Sequence, residues 1–160
     1  MPCKLPDGSI FKLSPGGHSE LIRDIIEKFA PRFARGAQVL YVGDTGNKGI
    51  VHEVKTIEKL GVTVHERGKM PDAILYLAKK NWLLLIESVT SGGPVDGKRH
   101  AELSHLFGKA SAGLVFVTVF PDRQLMARFL PQIAWETEVW CADNPSHLIH
   151  FNGDRFLGPH

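Results

Sequence analysis

In the stretch from Lys69 to Leu106, Asp72 opens one short apolar run and Glu87 closes the next, with Ala78-Lys79-Lys80-Asn81 as the turn between them. Runs this short, rich in Ile, Leu, Tyr and Trp and bounded by turn residues, read as strands. If Leu77 pairs with Trp82, then Asp72 faces Glu87. Opposed residues in an antiparallel pair hold their β-carbons about 4.5–5.5 Å apart on one face. Two carboxylates that close repel unless something positive lies between them. A divalent cation answers that, because Mg²⁺ takes carboxylate oxygens at about 2.1 Å and keeps water for chemistry. In this register Asp72, Ile74 and Tyr76 share a face with Leu83, Leu85 and Glu87. A slip of one residue would throw the acids onto opposite faces, and the plainer reading is a pair of solvated carboxylates flanking a hairpin.

The elements that must position these acids are legible around them. The central hairpin is apolar on both faces, so helices must cover it on both sides. Leu21, Ile22, Ile25, Ile26 and Phe29 recur at helical spacing, which predicts a first helix from His18 or Ser19 to about Ala30, ended by Pro31. Ala37–Gly43 reads as a buried strand, and the following Asp44–Gly49 segment reads as a turn lacking the glycine spacing of a P-loop. His52–Leu60 predicts a charged helix closed by Gly61, with a short strand at Val62–Val64. After the Ser91-Gly92-Gly93-Pro94 break, helix signals resume at Asp96 and end at Gly108. Gly113–Phe120 is the most β-prone run and follows that helix at crossover length, so it is expected parallel to the strand carrying Glu87. Asp122–Leu130 predicts another helix, Glu138–Ala142 and His147–Phe151 two short strands, and Ile10–Leu13 an edge strand. The expectation is one α/β domain over residues 1–160, a mixed central sheet with helices on both faces.

Composition narrows the function classes. The chain has 160 residues, 43% hydrophobic and 22% charged, with a net charge of +2, ordinary values for a soluble globular domain. No apolar run reaches the roughly 18 residues of a membrane helix and no signal-peptide core is present, so the expected location is cytoplasmic, with Cys3 and Cys141 as free thiols. The eight histidines include no HExxH and none at zinc spacing from a cysteine, which argues against a His-based metal site.

Pro71-Asp72 followed by Glu87 one strand later resembles the PD-(D/E)XK nuclease signature. The wider text, YVGDTGNK at 41–48, KMPDAILY at 69–76, KNWLLLIESVTSGGPVDGKRHAEL at 80–103, AGLVFVTVFPDR at 112–123, IAWETEVW at 133–140 and HLIHFNGDRFLGP at 147–159, is similar to the catalytic half of the BsuBI/PstI type II restriction endonucleases. The resemblance runs from about Leu5 to Pro159 and implies a restriction-endonuclease-like core. It further implies Mg²⁺-dependent hydrolysis of phosphodiesters in double-stranded DNA, with Mn²⁺ as a substitute. Members of that family are about twice this length. The palindromic site implied predicts a two-fold homodimer. Nucleases of the superfamily often bring a Glu from the first helix to the metal. Glu20 is the matching position here, although periodicity sets it opposite the apolar stripe.

The superfamily motif places Lys two residues after its Glu, whereas Glu87-Ser88-Val89 puts valine there. A lysine would orient the attacking water and steady the developing phosphorane charge. Lys98 and Arg99, in the first turns of the next helix, are the replacements. Arg99 falls nearer the Leu103/Leu106 stripe and Lys98 points outward, yet lysine titrates more readily. The expected assignment is Lys98 as catalytic cation, Arg99 as phosphate clamp, Lys48 as a further DNA contact, and Asp72, Glu87 and the backbone carbonyl of Ser88 as metal ligands. Leu77 and Gly92 stand where the family usually has Asp and His. Two other readings remain open, a repair or structure-selective nuclease and a catalytically silent DNA-binding module.

Overall fold

Leu75, Leu77, Leu84 and Ile86 project to one side of the central hairpin, Ile74, Leu83 and Leu85 to the other, and all are buried. A hairpin apolar on both faces is stable only inside a layered structure, and the computed structural model places it there. The structure describes residues 1–43, 51–63, 70–90 and 92–154; of residues 51 and 52 only the backbone is described. Strands β5 (Ala73–Leu77) and β6 (Trp82–Ser88) are antiparallel, in a register running from Leu77 opposite Trp82 to Ala73 opposite Ile86. This is the register expected from the alternation of side chains.

The described sheet has seven strands. Beside β5 lies β3 (Gln38–Val42), antiparallel, and at that edge β4 (Val51–His52). On the other side, β7 (Gly113–Phe120) runs parallel to β6, β8 (Thr137–Cys141) parallel to β7, and β9 (Ile149–Phe151) closes the edge antiparallel. The order is β4-β3-β5-β6-β7-β8-β9. One face is covered by α1 (Gly17–Asp24) and its continuation, which bury Leu21, Ile22, Ile25, Ile26 and Phe29 against Leu75, Ile86, Val119 and Trp140. The other face is covered by α3 (Val54–Lys59), with Ile57, and α4 (Gly97–Leu106), with Leu103. A third cluster of Val89, Phe120, Ile133, Val139 and Cys141 lies under α5 (Arg123–Phe129), which contributes Leu125, Met126 and Phe129.

Three expectations change. Pro31 does not end the first helix. A π-helical turn at Ile25–Phe29 carries the chain into α2 (Ala30–Phe33), with the Ala30 amide donating to the Ile25 carbonyl. Proline lacks the N–H and its ring clashes with the carbonyl four residues back; the wider turn relieves that clash. The expected strand at Ile10–Leu13 is β2 (Ile10–Lys12), and it pairs with an unanticipated β1 (Pro2–Lys4) in a separate two-stranded sheet. No strand forms at Val62–Thr63, and Val64 lies outside the described residues. Instead Gly61 turns at φ +91° with the Lys109 carbonyl only 2.6 Å from where a β-carbon would sit, so glycine is required there.

The segment between β6 and α4 is pinned at one residue. The Val95 N–H donates to the buried Thr118 hydroxyl at 3.0 Å, and the Val95 carbonyl accepts from Ala134 N–H at 2.9 Å. Asp96 then caps α4, accepting from the Arg99 amide at 2.7 Å. A β-strand end is thus tied to a helix start, which fixes where the first turn of α4 meets the sheet. Thr118→Val keeps the side chain's shape but leaves the buried Val95 N–H without an acceptor. It is expected to destabilise the protein by about 1–3 kcal/mol in urea unfolding, with the loss accompanied by faster amide exchange in the first turn of α4.

Candidate active site

Asp72 sits immediately before β5 and Glu87 near the end of β6, so the hairpin brings them to the same end of the sheet. Asp72 is anchored by both of its ends. Its main-chain carbonyl accepts from Gly43 N–H at 2.8 Å, and its Oδ2 accepts from Ser88 N–H at 2.8 Å and from the Ser88 hydroxyl at 3.1 Å. Glu87 is anchored from the opposite side of the sheet. Its Oε1 accepts from Arg99 Nε at 3.0 Å and Nη2 at 2.7 Å, and the two side chains are only 12% and 10% exposed. Arg99 Nη1 also reaches Glu102 Oε2 at 3.4 Å. Each carboxylate is therefore held through one oxygen and presents the other, Asp72 Oδ1 and Glu87 Oε2, away from its anchor.

The electrostatics record how close the acids are. The Glu87 carboxyl is pushed up to about 7 by burial, then by the negative charge of Asp72; Arg99 opposes both, and hydrogen bonding to Asp72 adds to the rise. A guanidinium in direct contact would normally depress a carboxyl, so burial and the second acid outweigh it here. Tyr41, on β3, is also raised, by burial and by Asp72. Negative charge gathered on side chains this far from solvent is a seat for a cation.

The residues fit a hard divalent cation. Asp72 and Glu87 offer carboxylate oxygens, the ligands Mg²⁺ prefers, and Mg²⁺ completes its shell with water rather than with an all-protein cage. Among the described residues, no group of three or more His, Cys, Asp and Glu is arranged to hold a metal. A softer, fully protein-ligated metal does not suit this donor set.

The structure brings together Asp72, Glu87, Ser88 and Arg99. Ser88 acts through its N–H and hydroxyl, both on Asp72. Lys98, expected as the catalytic cation, is exposed on α4, while Arg99 fills the space beside Glu87. Helical periodicity is the reason, since only one of two adjacent residues can face the sheet. Val89, where the motif has lysine, is fully buried in the apolar cluster under α5. Glu20 is exposed. Leu77 is buried in the core, and Gly92 is exposed with open space around it. Lys48 lies outside the described residues.

Sequence reasoning missed His18. Its Nδ1 lies 3.2 Å from Ser88 Oγ, its Nε2 3.4 Å from the Gly43 carbonyl and 4.0 Å from Asp72 Oδ1. Its position at the start of α1, just ahead of the apolar stripe, was the only available signal.

A pH dependence follows for the protein in a metal chelator. Between about 4.5 and about 7 the folded state keeps the Glu87 proton while the unfolded chain releases it. Stability is full below that window and falls as pH rises through it, by on the order of 3 kcal/mol. Urea unfolding across pH 4.5–8 should show this fall, and Glu87→Gln should flatten it. A second expectation concerns the motif position. Val89→Lys buries an ammonium among apolar side chains and is expected to lower the melting temperature by more than about 5 °C, as about 2 kcal/mol or more does in a domain of this size.

Comparison with known proteins identifies the family. A family model of the BsuBI/PstI restriction endonuclease domain matches residues 1–154. The chain is 56% identical over 160 residues to the type II restriction enzyme BsuBI of Bacillus subtilis, covering 100% of this chain and 51% of that protein. It is 31% identical over 153 residues to the type II restriction enzyme AplI of Arthrospira platensis (strain NIES-39), covering 91% of this chain and 47% of that one. The structure of the SdaI restriction endonuclease superposes with a TM-score of 0.91 at 49% identity, over 100% of this chain and 50% of that chain. The chain thus spans about half the length of the relatives it matches. With the mixed sheet, the paired acids and a family match over nearly its whole length, the chain belongs to the BsuBI/PstI restriction endonuclease domain family.

Proposed function

We propose that this chain is the catalytic part of a type II restriction endonuclease that hydrolyses phosphodiester bonds in double-stranded DNA with Mg²⁺. The observation that carries the reading is the pair of acids at one end of the sheet, each held through one oxygen from a different side. The names of the relatives support the restriction class over a repair nuclease. A two-fold dimer on a palindromic site and a cytoplasmic location follow from the same reading.

In the proposed mechanism Asp72, Glu87 and the Ser88 backbone carbonyl would hold the Mg²⁺. The chemistry a bound cation would supply there is a lowered pKa for a coordinated water and neutralisation of charge on the scissile phosphate. The chain's own residues set the geometry. Ser88 keeps Asp72 from rotating, and Arg99 keeps Glu87 turned toward it. Among the described residues Arg99 is the fixed positive charge in direct contact with the acids, so we assign to it the electrostatic role the missing lysine would fill. It contributes charge and hydrogen bonds but no proton transfer, since its guanidinium stays protonated. Lys98, on the solvent side of α4, and Lys48 are then phosphate contacts along the DNA.

The deciding experiment is incubation with linear duplex DNA and Mg²⁺. Discrete fragments are expected, abolished by chelator and reduced at least about 10³-fold in Asp72→Ala and Glu87→Ala. Arg99→Ala is expected to lose about 10²-fold or more, the size seen on removing one charge-stabilising donor, and Lys98→Ala less than tenfold. Because the cation must displace the Glu87 proton, Mg²⁺ should raise the melting temperature more at pH 8 than at pH 5. Calorimetric titration giving neither Mg²⁺ nor Mn²⁺ heat, together with uncut DNA, would leave the silent DNA-binding module as the better reading.

A further inference from the structure

Four polar contacts close a ring around Asp72. Its main-chain carbonyl accepts from Gly43 N–H; the Gly43 carbonyl faces His18 Nε2; His18 Nδ1 faces Ser88 Oγ; and Ser88 Oγ faces Asp72 Oδ2. The ring joins the start of α1, the end of β3, the entry to β5 and the end of β6. His18 is the member that crosses from the covering helix to the sheet, and its side chain is 22% exposed.

The roles within the ring follow from what each atom can do. A carbonyl only accepts, so the Gly43 contact needs the hydrogen on Nε2, which leaves Nδ1 as an acceptor toward Ser88. The Ser88 hydroxyl has one hydrogen and two acceptors, His18 Nδ1 at 3.2 Å and Asp72 Oδ2 at 3.1 Å. In either orientation Asp72 Oδ2 keeps the Ser88 N–H, so the anchored oxygen does not change. What the imidazole fixes is the place of the hydroxyl and of Gly43, the two groups that hold the side chain and the main chain of Asp72.

We propose that His18 is a positioning residue for the Asp72 carboxylate, acting through Ser88 and Gly43. The proposal rests on the reading of Asp72 and Glu87 as metal ligands. The helix does not depend on His18 for docking, because Leu21, Ile22 and Ile25 are buried to 2% exposure or less and carry its packing. Loss of the imidazole therefore loosens the acid more than the fold. Residues that orient metal ligands typically change metal affinity by about 10–100-fold when removed.

The test uses the chain without DNA and two independent readouts. In calorimetric titration with Mn²⁺, His18→Ala should bind about tenfold more weakly or worse, while the melting temperature stays within a few degrees of wild type. His18→Asn, whose amide can reach the Nδ1 position, should recover part of that loss. In amide exchange under chelator, His18→Ala should speed Ser88 and Gly43 while Leu84 and Leu85, inside β6, keep their protection. Unchanged exchange at Ser88 and Gly43, or wild-type Mn²⁺ affinity in His18→Ala, overturns the proposal. Absence of Mn²⁺ heat in the wild type refutes the ligand reading instead, and exchange at the two amides then decides the role of His18 alone.

Discussion

Two acids of like charge share the end of one hairpin, and the rest of the site is arranged around keeping them there. Left alone they would separate or protonate. Instead Asp72 is braced by Gly43, Ser88 and His18 on the side covered by α1, and Glu87 by Arg99 on the side covered by α4. The raised proton affinity of Glu87 is the residue of that compression, driven first by burial and next by Asp72. Each brace depends on a different layer of the fold. The covering helices therefore act on the site directly, as well as burying the sheet.

How far the sequence revealed this depends on the range of each interaction. The Asp72/Glu87 meeting is local, one hairpin with strict alternation, and the expected register appears in the pairing of Leu77 with Trp82 through Ala73 with Ile86. The parallel placement of Gly113–Phe120 was also legible, from helix length and crossover geometry. His18 was not, because its partner Ser88 is 70 residues away and a lone histidine at a helix start carries no pattern. Pro31 misled because the rule against helical proline assumes an α register, and the chain passes it with a π turn. The choice between Lys98 and Arg99 turned on one helical step. Periodicity had favoured Arg99 for reaching the sheet, and the structure puts Arg99 there; titratability had argued for Lys98.

The valine at the motif's lysine position has a structural cause. Val89 follows the last residue of β6, its N–H bonded to the Val119 carbonyl at 2.8 Å, and its side chain fills the cluster shared by Phe120, Ile133 and Val139. A lysine there would have to leave that cluster or lose its charge. In the proposed assignment the charge comes from Arg99 on α4 instead, and that helix reaches Glu87 from over the sheet rather than along the strand. The Val95 clamp and the Asp96 cap then become part of the site's geometry, because they set the turn on which Arg99 stands. Strand and helix divide the work: the strand supplies acid and packing, the helix supplies charge.

The Arg99 guanidinium is shared between Glu87 and Glu102, while Asp72 stands beside Glu87. Glu102 is 43% exposed, whereas Asp72 and Glu87 are 28% and 12% exposed. Such a site is poorly suited to an approaching phosphate, which would meet net negative charge at short range. A divalent cation between the inner acids would reverse that sign and relieve their repulsion at once. Under the proposed function, the metal, the substrate backbone and the integrity of the hairpin end would then depend on the same two side chains.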